Sequence, residues 1–87
     1  MNIKTILKTA AAQGYHFVAY YDDPSDYDYK GNDVRKCLEA LEACDEMFCS
    51  IRGADGKRIA SIHYIPGNDA DERIADYGGA WMKQFEA

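Results

Sequence analysis

The sequence predicts a small α+β domain: an antiparallel sheet of three strands, or four if 72–77 is extended, with two or three helices on one face. Three observations predict it. Apolar residues recur at helical spacing in two segments. A Gly-Ala-Asp-Gly turn separates two alternating segments of high β-propensity. The chain has 87 residues, room for one core and one domain. The predicted element order is α-β-α-β-β-α.

The first helix is read over 3–13, where Ile3, Ile6, Leu7 and Ala10 form one apolar stripe. Asn2 suits the cap, and Gly14 suits the left-handed residue that ends a helix. Tyr15 to Tyr21 is aromatic and β-branched, apolar on both faces, and reads as a well-covered strand. Asp22-Asp23-Pro24-Ser25 stops it and opens a loop over 22–33. A second helix is read over 34–44, with Val34, Cys37, Leu38, Leu41 and Cys44 on its buried stripe and Asn32 or Asp33 as cap.

The hairpin is the clearest local signal. EMFCSIR and KRIASIHYI flank Gly53-Ala54-Asp55-Gly56, and an Asp-Gly pair favours a type I′ turn. Pairing outward sets Met47, Cys49 and Ile51 opposite Tyr64, Ile62 and Ala60 on one apolar face. Phe48, Ser50, Ser61 and His63 form the other, mixed face. After Pro66-Gly67-Asn68, two readings stand for the next segment. Asp69-x-x-Glu72 matches a capping box for a helical turn over 70–77, and 72–77 also suits a short edge strand. Gly78-Gly79 ends either one, and Trp81, Met82 and Phe85 form one face of a short last helix.

Hydrophobic content of 47% and charged content of 29% are those of a folded domain and argue against disorder. Fifteen acids against ten bases give a net charge of −5, which disfavours direct contact with nucleic acid. Cys37, Cys44 and Cys49 are odd in number and lack CxxC spacing, so reduced, mostly buried thiols are expected. Thr5, Lys8 and Thr9 break the apolar run that a signal peptide needs, and no stretch suits a membrane span. A cytoplasmic protein is the expectation.

Chemical motifs are sparse. His16 and His63 lie in predicted strands outside any nucleophile motif, and Cys49 falls on the face opposite His63. Asp26-Tyr27-Asp28-Tyr29-Lys30-Gly31 echoes a calcium loop, but Lys30 and Cys37 stand where that loop needs oxygen ligands. No phosphate-binding glycine loop occurs. The expectation is a protein without catalytic residues, metal or cofactor.

What stands out is charge arrangement. Asp22, Asp23, Asp26 and Asp28 form one acidic run, interleaved with Tyr20, Tyr21, Tyr27 and Tyr29. Glu39, Glu42, Asp45 and Glu46 form a second, and on a helical wheel Glu39, Glu42 and Glu46 share a face with Arg35. Carboxylates there oppose the helix dipole, a cost of about 0.3–1 kcal/mol each that stability alone would not favour. Asp69, Asp71, Glu72 and Asp76 form a third run, and Arg52, Lys57 and Arg58 make the hairpin tip basic.

The size, the acidity and the run IHYIPGNDADERIADYGG after the Asp-Gly hairpin resemble small acidic proteins of bacteriophages and mobile elements. That group includes anti-CRISPR and anti-restriction inhibitors, some of them DNA mimics. The resemblance implies an inhibitor acting in a bacterial host cell, and it carries over no site residue.

From the residues, the candidate partner-binding set is Asp22, Asp23, Asp26, Tyr27, Asp28 and Tyr29 in the loop, with Glu39, Glu42 and Glu46 beside them. The expected partner is a basic host protein whose nucleic-acid-binding surface these acids would occupy. Three alternatives stand beside it. One is an acidic exterior that only keeps the chain soluble. Another is a homodimer or docking subunit using Ile59, Ile65, Trp81 and Phe85. The last is a small enzyme relying on His16, His63 or Cys49.

Overall fold

A computed structural model describes residues 1–86. Helix α1, Ile3–Ala12, is capped by the Asn2 side chain, which accepts from the N–H groups of Lys4 and Thr5. Ile6, Leu7 and Ala10 on its stripe are fully buried. Strand β1, His16–Tyr20, follows, with Phe17, Val18 and Ala19 all withdrawn from solvent. Helix α2, Val34–Glu42, is capped by Asp33, whose carboxylate accepts from Lys36 N–H at 3.0 Å.

A short strand β2, Tyr29–Gly31, lies inside the segment read as loop and pairs antiparallel with β1. Nothing in Tyr-Lys-Gly announces a strand, and the pairing with β1 supplies it. The hairpin forms β3, Met47–Arg52, and β4, Arg58–Tyr64. Its register sets Met47 opposite Tyr64, Cys49 opposite Ile62 and Ile51 opposite Ala60, as the alternation predicted. The turn differs from type I′. Gly56 N–H donates to Gly53 O at 2.9 Å, Gly56 alone takes a positive φ of 80°, and Asp55 does not. A type I turn closed by a left-handed glycine therefore replaces it, with a register shift beside Arg52 absorbing the extra residue.

The open question over 70–77 resolves as strand: β5, Ile74–Gly78, pairs with β4 at the sheet edge. The chain closes with a 3₁₀ helix, Ala80–Phe85, whose Met82 is buried. The sheet thus has five antiparallel strands in the order β2-β1-β3-β4-β5, where sequence reading gave three or four. Residues of α1, α2 and the 3₁₀ helix join Phe17, Met47, Cys49, Ile51, Ile62 and Tyr64 in one core. The helices cover one face of the sheet.

Two expectations about the second helix are corrected. It ends at Glu42, two residues early, because the chain must turn within four residues to enter β3 at Met47. Glu46 therefore leaves the helix and no longer shares a face with Glu39 and Glu42. Cys44 likewise leaves the buried stripe and is exposed, while Cys37 and Cys49 are buried. Trp81 and Phe85 pack edge-to-face at 5.1 Å against the core, and Ile59 and Ile65 are half-buried. Among the described residues no helix is long and apolar enough to cross a membrane.

Candidate functional site

Strand alternation sends half the sheet residues away from the helices, onto an uncovered face. The observed registers order that face into rows. Tyr20, Phe48, His63 and Asp76 are successive partners across β1, β3, β4 and β5. Below them run Lys30, Val18, Ser50, Ser61 and Gly78. At the hairpin end His16 pairs with Arg52.

The first row is a ridge of stacked rings. Tyr20 and Phe48 lie 5.8 Å apart with planes 22° off parallel, and Phe48 and His63 lie 4.6 Å apart at 15°. These separations are close to the spacing of neighbouring strands, so the rings stand on the sheet with their edges outward. Both faces of Phe48 are occupied by its neighbours, which leaves ring edges for a partner to cover.

Carboxylates flank the His63 end of the ridge. Glu46 Oε1 lies 2.7 Å from His63 Nε2, and Asp76 is the register partner of His63. At the other end Asp28 N–H donates to Ala19 O at 2.8 Å, one residue out of the β1–β2 register, which ties the end of the acidic loop to β1 next to Tyr20 in the chain. At Ser50, Ser61 and Gly78 the middle row is a shallow trough of small residues. Ser50 is only 1% exposed, and its hydroxyl has no partner among the described residues. Gly78 lies against Ser61 Oγ and gives that trough its depth.

The acidic loop folds over the β1 side of the same face. Asp26 N–H donates to Asp23 O, and Asp23 Oδ1 accepts from Ser25 N–H at 2.9 Å and Ser25 Oγ at 2.8 Å. These bonds hold the Asp23 carboxyl below its ordinary range. Asp22, Asp23, Asp26, Tyr27 and Asp28 are all exposed. Lys30 Nζ sits 5.9 Å from the Tyr27 ring centroid. Tyr29 differs from them: it packs against the core, and its hydroxyl accepts from Asp33 N–H at 2.9 Å.

The acids of the second cluster are divided by the sheet. Glu39 and Glu42 stand exposed on α2, on the helical side, and Glu39 pairs with Arg35 at 3.4 Å. Glu46 reaches His63 on the open side. The structure therefore brings Glu46 onto the face that the loop borders and leaves Glu39 and Glu42 behind it. Sequence reading had separated Phe48, Ser50, Ser61 and His63 as one mixed face. It missed that Tyr20 completes a ring stack there, because the β1–β3 register is not local.

Cys49 and His63 point to opposite sides of the sheet, as the alternation required. The Cys49 thiol is held well above the ordinary range by its hydrogen bond with Cys37 and by burial. Among the described residues no three His, Cys, Asp or Glu side chains converge as a metal site. Comparison of the chain with protein-family models, with curated proteins and with solved structures finds no match. The class defined by fold and site is thus a small α+β domain with one open, acid-bordered aromatic sheet face.

Proposed function

We propose that this chain is a non-catalytic protein-binding module, and that its partner is a basic surface of a nucleic-acid-binding protein. The observation that carries the reading is the Tyr20–Phe48–His63 ridge, with Glu46 and Asp76 beside its His63 end and the acidic loop tied to β1 through Asp28 N–H. Aromatic rings supply the desolvated centre of a contact, and flanking carboxylates select cationic partners. The exposed run Asp22, Asp23, Asp26 and Asp28 extends the acidic border and would stand where phosphates otherwise lie. In this reading the chain acts as an inhibitor in a bacterial host, in the manner of phage anti-defence proteins. Glu39 and Glu42, behind the sheet, serve solubility.

The experiment is affinity capture from nuclease-treated bacterial lysate at low and high salt, with three baits. Wild type is expected to retain a nucleic-acid-binding protein at low salt and to release it at high salt. Glu46→Lys with Asp76→Lys is expected to lose that protein, while Glu39→Lys with Glu42→Lys keeps it. Equal capture by all three baits, or only salt-resistant capture, would refute the reading.

A further inference from the structure

At the opposite end of the open face lies a cleft of about 350 Å³, lined by His16, Val18, Arg52 and Lys30 from the sheet. Asp23, Pro24, Ser25 and Tyr27 of the acidic loop form the facing wall, and Gly56 of the hairpin tip closes one end. The volume suits a small molecule. Its sheet side is unlike the rest of this acidic protein. His16 and Arg52 are cross-strand partners, and Lys30, the partner of Val18, sits diagonally beside His16. Three nitrogen-bearing side chains from three adjacent strands therefore converge on one cavity.

Arg52 carries the second observation. Its Nη1 donates to Gly56 O at 3.3 Å, which fixes the side chain along the hairpin. Its Nε is buried and has no acceptor among the described residues. A buried donor without an acceptor is costly, and a guanidinium held by a single bond to the hairpin has N–H groups left for an oxyanion. Lys30 is held only by the face of Tyr27, a weak exposed contact. The one carboxylate on the opposite wall, Asp23, is turned onto Ser25 and makes no pair with Arg52 or Lys30.

We propose that this cleft binds the phosphate group of a small phosphorylated ligand of about nucleotide size. The phosphate oxygens lie on Arg52 and Lys30, with His16 beside them. The remainder of the ligand lies along Tyr27, whose ring is free once Lys30 turns to the phosphate. A phosphate fits better than a carboxylate because two cations match its second negative charge.

The test is a titration of the full chain with adenosine monophosphate, adenosine and inorganic phosphate, followed by amide NMR shifts. Adenosine monophosphate is expected to shift Val18, Ser25 and Arg52, inorganic phosphate to compete with it, and adenosine to bind at least about tenfold more weakly. Arg52→Met and Lys30→Met should each weaken the nucleotide about tenfold, while Lys57→Met, outside the cleft, leaves it unchanged. Lys30 is exposed, so its variant carries the test if Arg52→Met unfolds. Equal binding of adenosine and its monophosphate, equal loss in the Lys57 variant, or no saturable shift at the cleft would overturn the proposal.

Discussion

Truncating Phe48 to alanine tests whether the aromatic ridge is an open surface or a covered core. Phe48 is partly buried, with Tyr20 and His63 stacked on its two faces. A fully buried phenylalanine withdraws about 150–250 Å² from water. About two-thirds or more of that is withdrawn here, and because alanine keeps the backbone and Cβ share, truncation loses on the order of 100 Å², worth about 2.5 kcal/mol. For a domain of this size the expected fall in Tm is about 10–20 °C. Ile62, buried on the helical side of β4, provides the comparison, and Ile62→Ala should cost about 2–5 kcal/mol.

Urea unfolding followed by circular dichroism measures both variants, at two protein concentrations about tenfold apart. A Phe48→Ala cost near 2.5 kcal/mol, the same at both concentrations, supports a ridge exposed to solvent. A cost below about 1 kcal/mol would show that the rings are not held in a stack. A cost of about 4 kcal/mol or more that grows with concentration would mean that a second copy covers the face. That result would refute the open-face reasoning and favour a homodimer formed through this face.

Four further outcomes are expected. Ser50→Ala removes a buried hydroxyl without a partner, so urea unfolding should show a change between zero and about 1 kcal/mol of stabilisation. Gly79→Ala should destabilise by about 2–4 kcal/mol in the same assay, because φ is +106° there and a Cβ would overlap Ile59 O. Ellman's reagent should titrate Cys44 rapidly in the native protein and reach Cys37 and Cys49 only on unfolding. Because the folded state raises the Cys49 pKa, its contribution is fully present below the ordinary thiol range and is lost progressively as pH rises from that range toward the raised folded value. Unfolding free energy should therefore fall above about pH 9, more steeply in wild type than in Cys49→Ala.

The helices and the hairpin were legible because their signals are local. Ile6, Leu7 and Ala10 share a stripe by spacing alone, and Asn2 and Asp33 cap because a cap bonds within three residues. The alternation of β3 and β4 named the core pairs correctly and separated Cys49 from His63. It survived even a mistaken turn type, since a bulge at Arg52 absorbed the difference. Where the sequence left a choice, at 70–77, the deciding force was the unpaired edge of β4, which pairs Ser61 to Tyr64 with β5.

The acid clusters illustrate the other side. Composition established that carboxylates are abundant and grouped, a property of the chain that no fold can alter. Their common face was a matter of helix length, and α2 stops at Glu42 because β3 must begin at Met47. That one boundary moves Glu46 to His63 and leaves Glu39 and Glu42 behind the sheet.

By itself, then, the sequence determined the α+β class, the core residues of the first helix and the hairpin with Cys37 and Leu41 of the second, and the acidic character of the chain. These follow from periodicity and charge, which neighbouring residues carry between them. Only the tertiary structure decided that β1 lies between β2 and β3, and hence that Tyr20 meets Phe48 and His16 meets Arg52. No turn links β1 to β3 directly, so their register is set by packing Phe17 and Ala19 into the shared core.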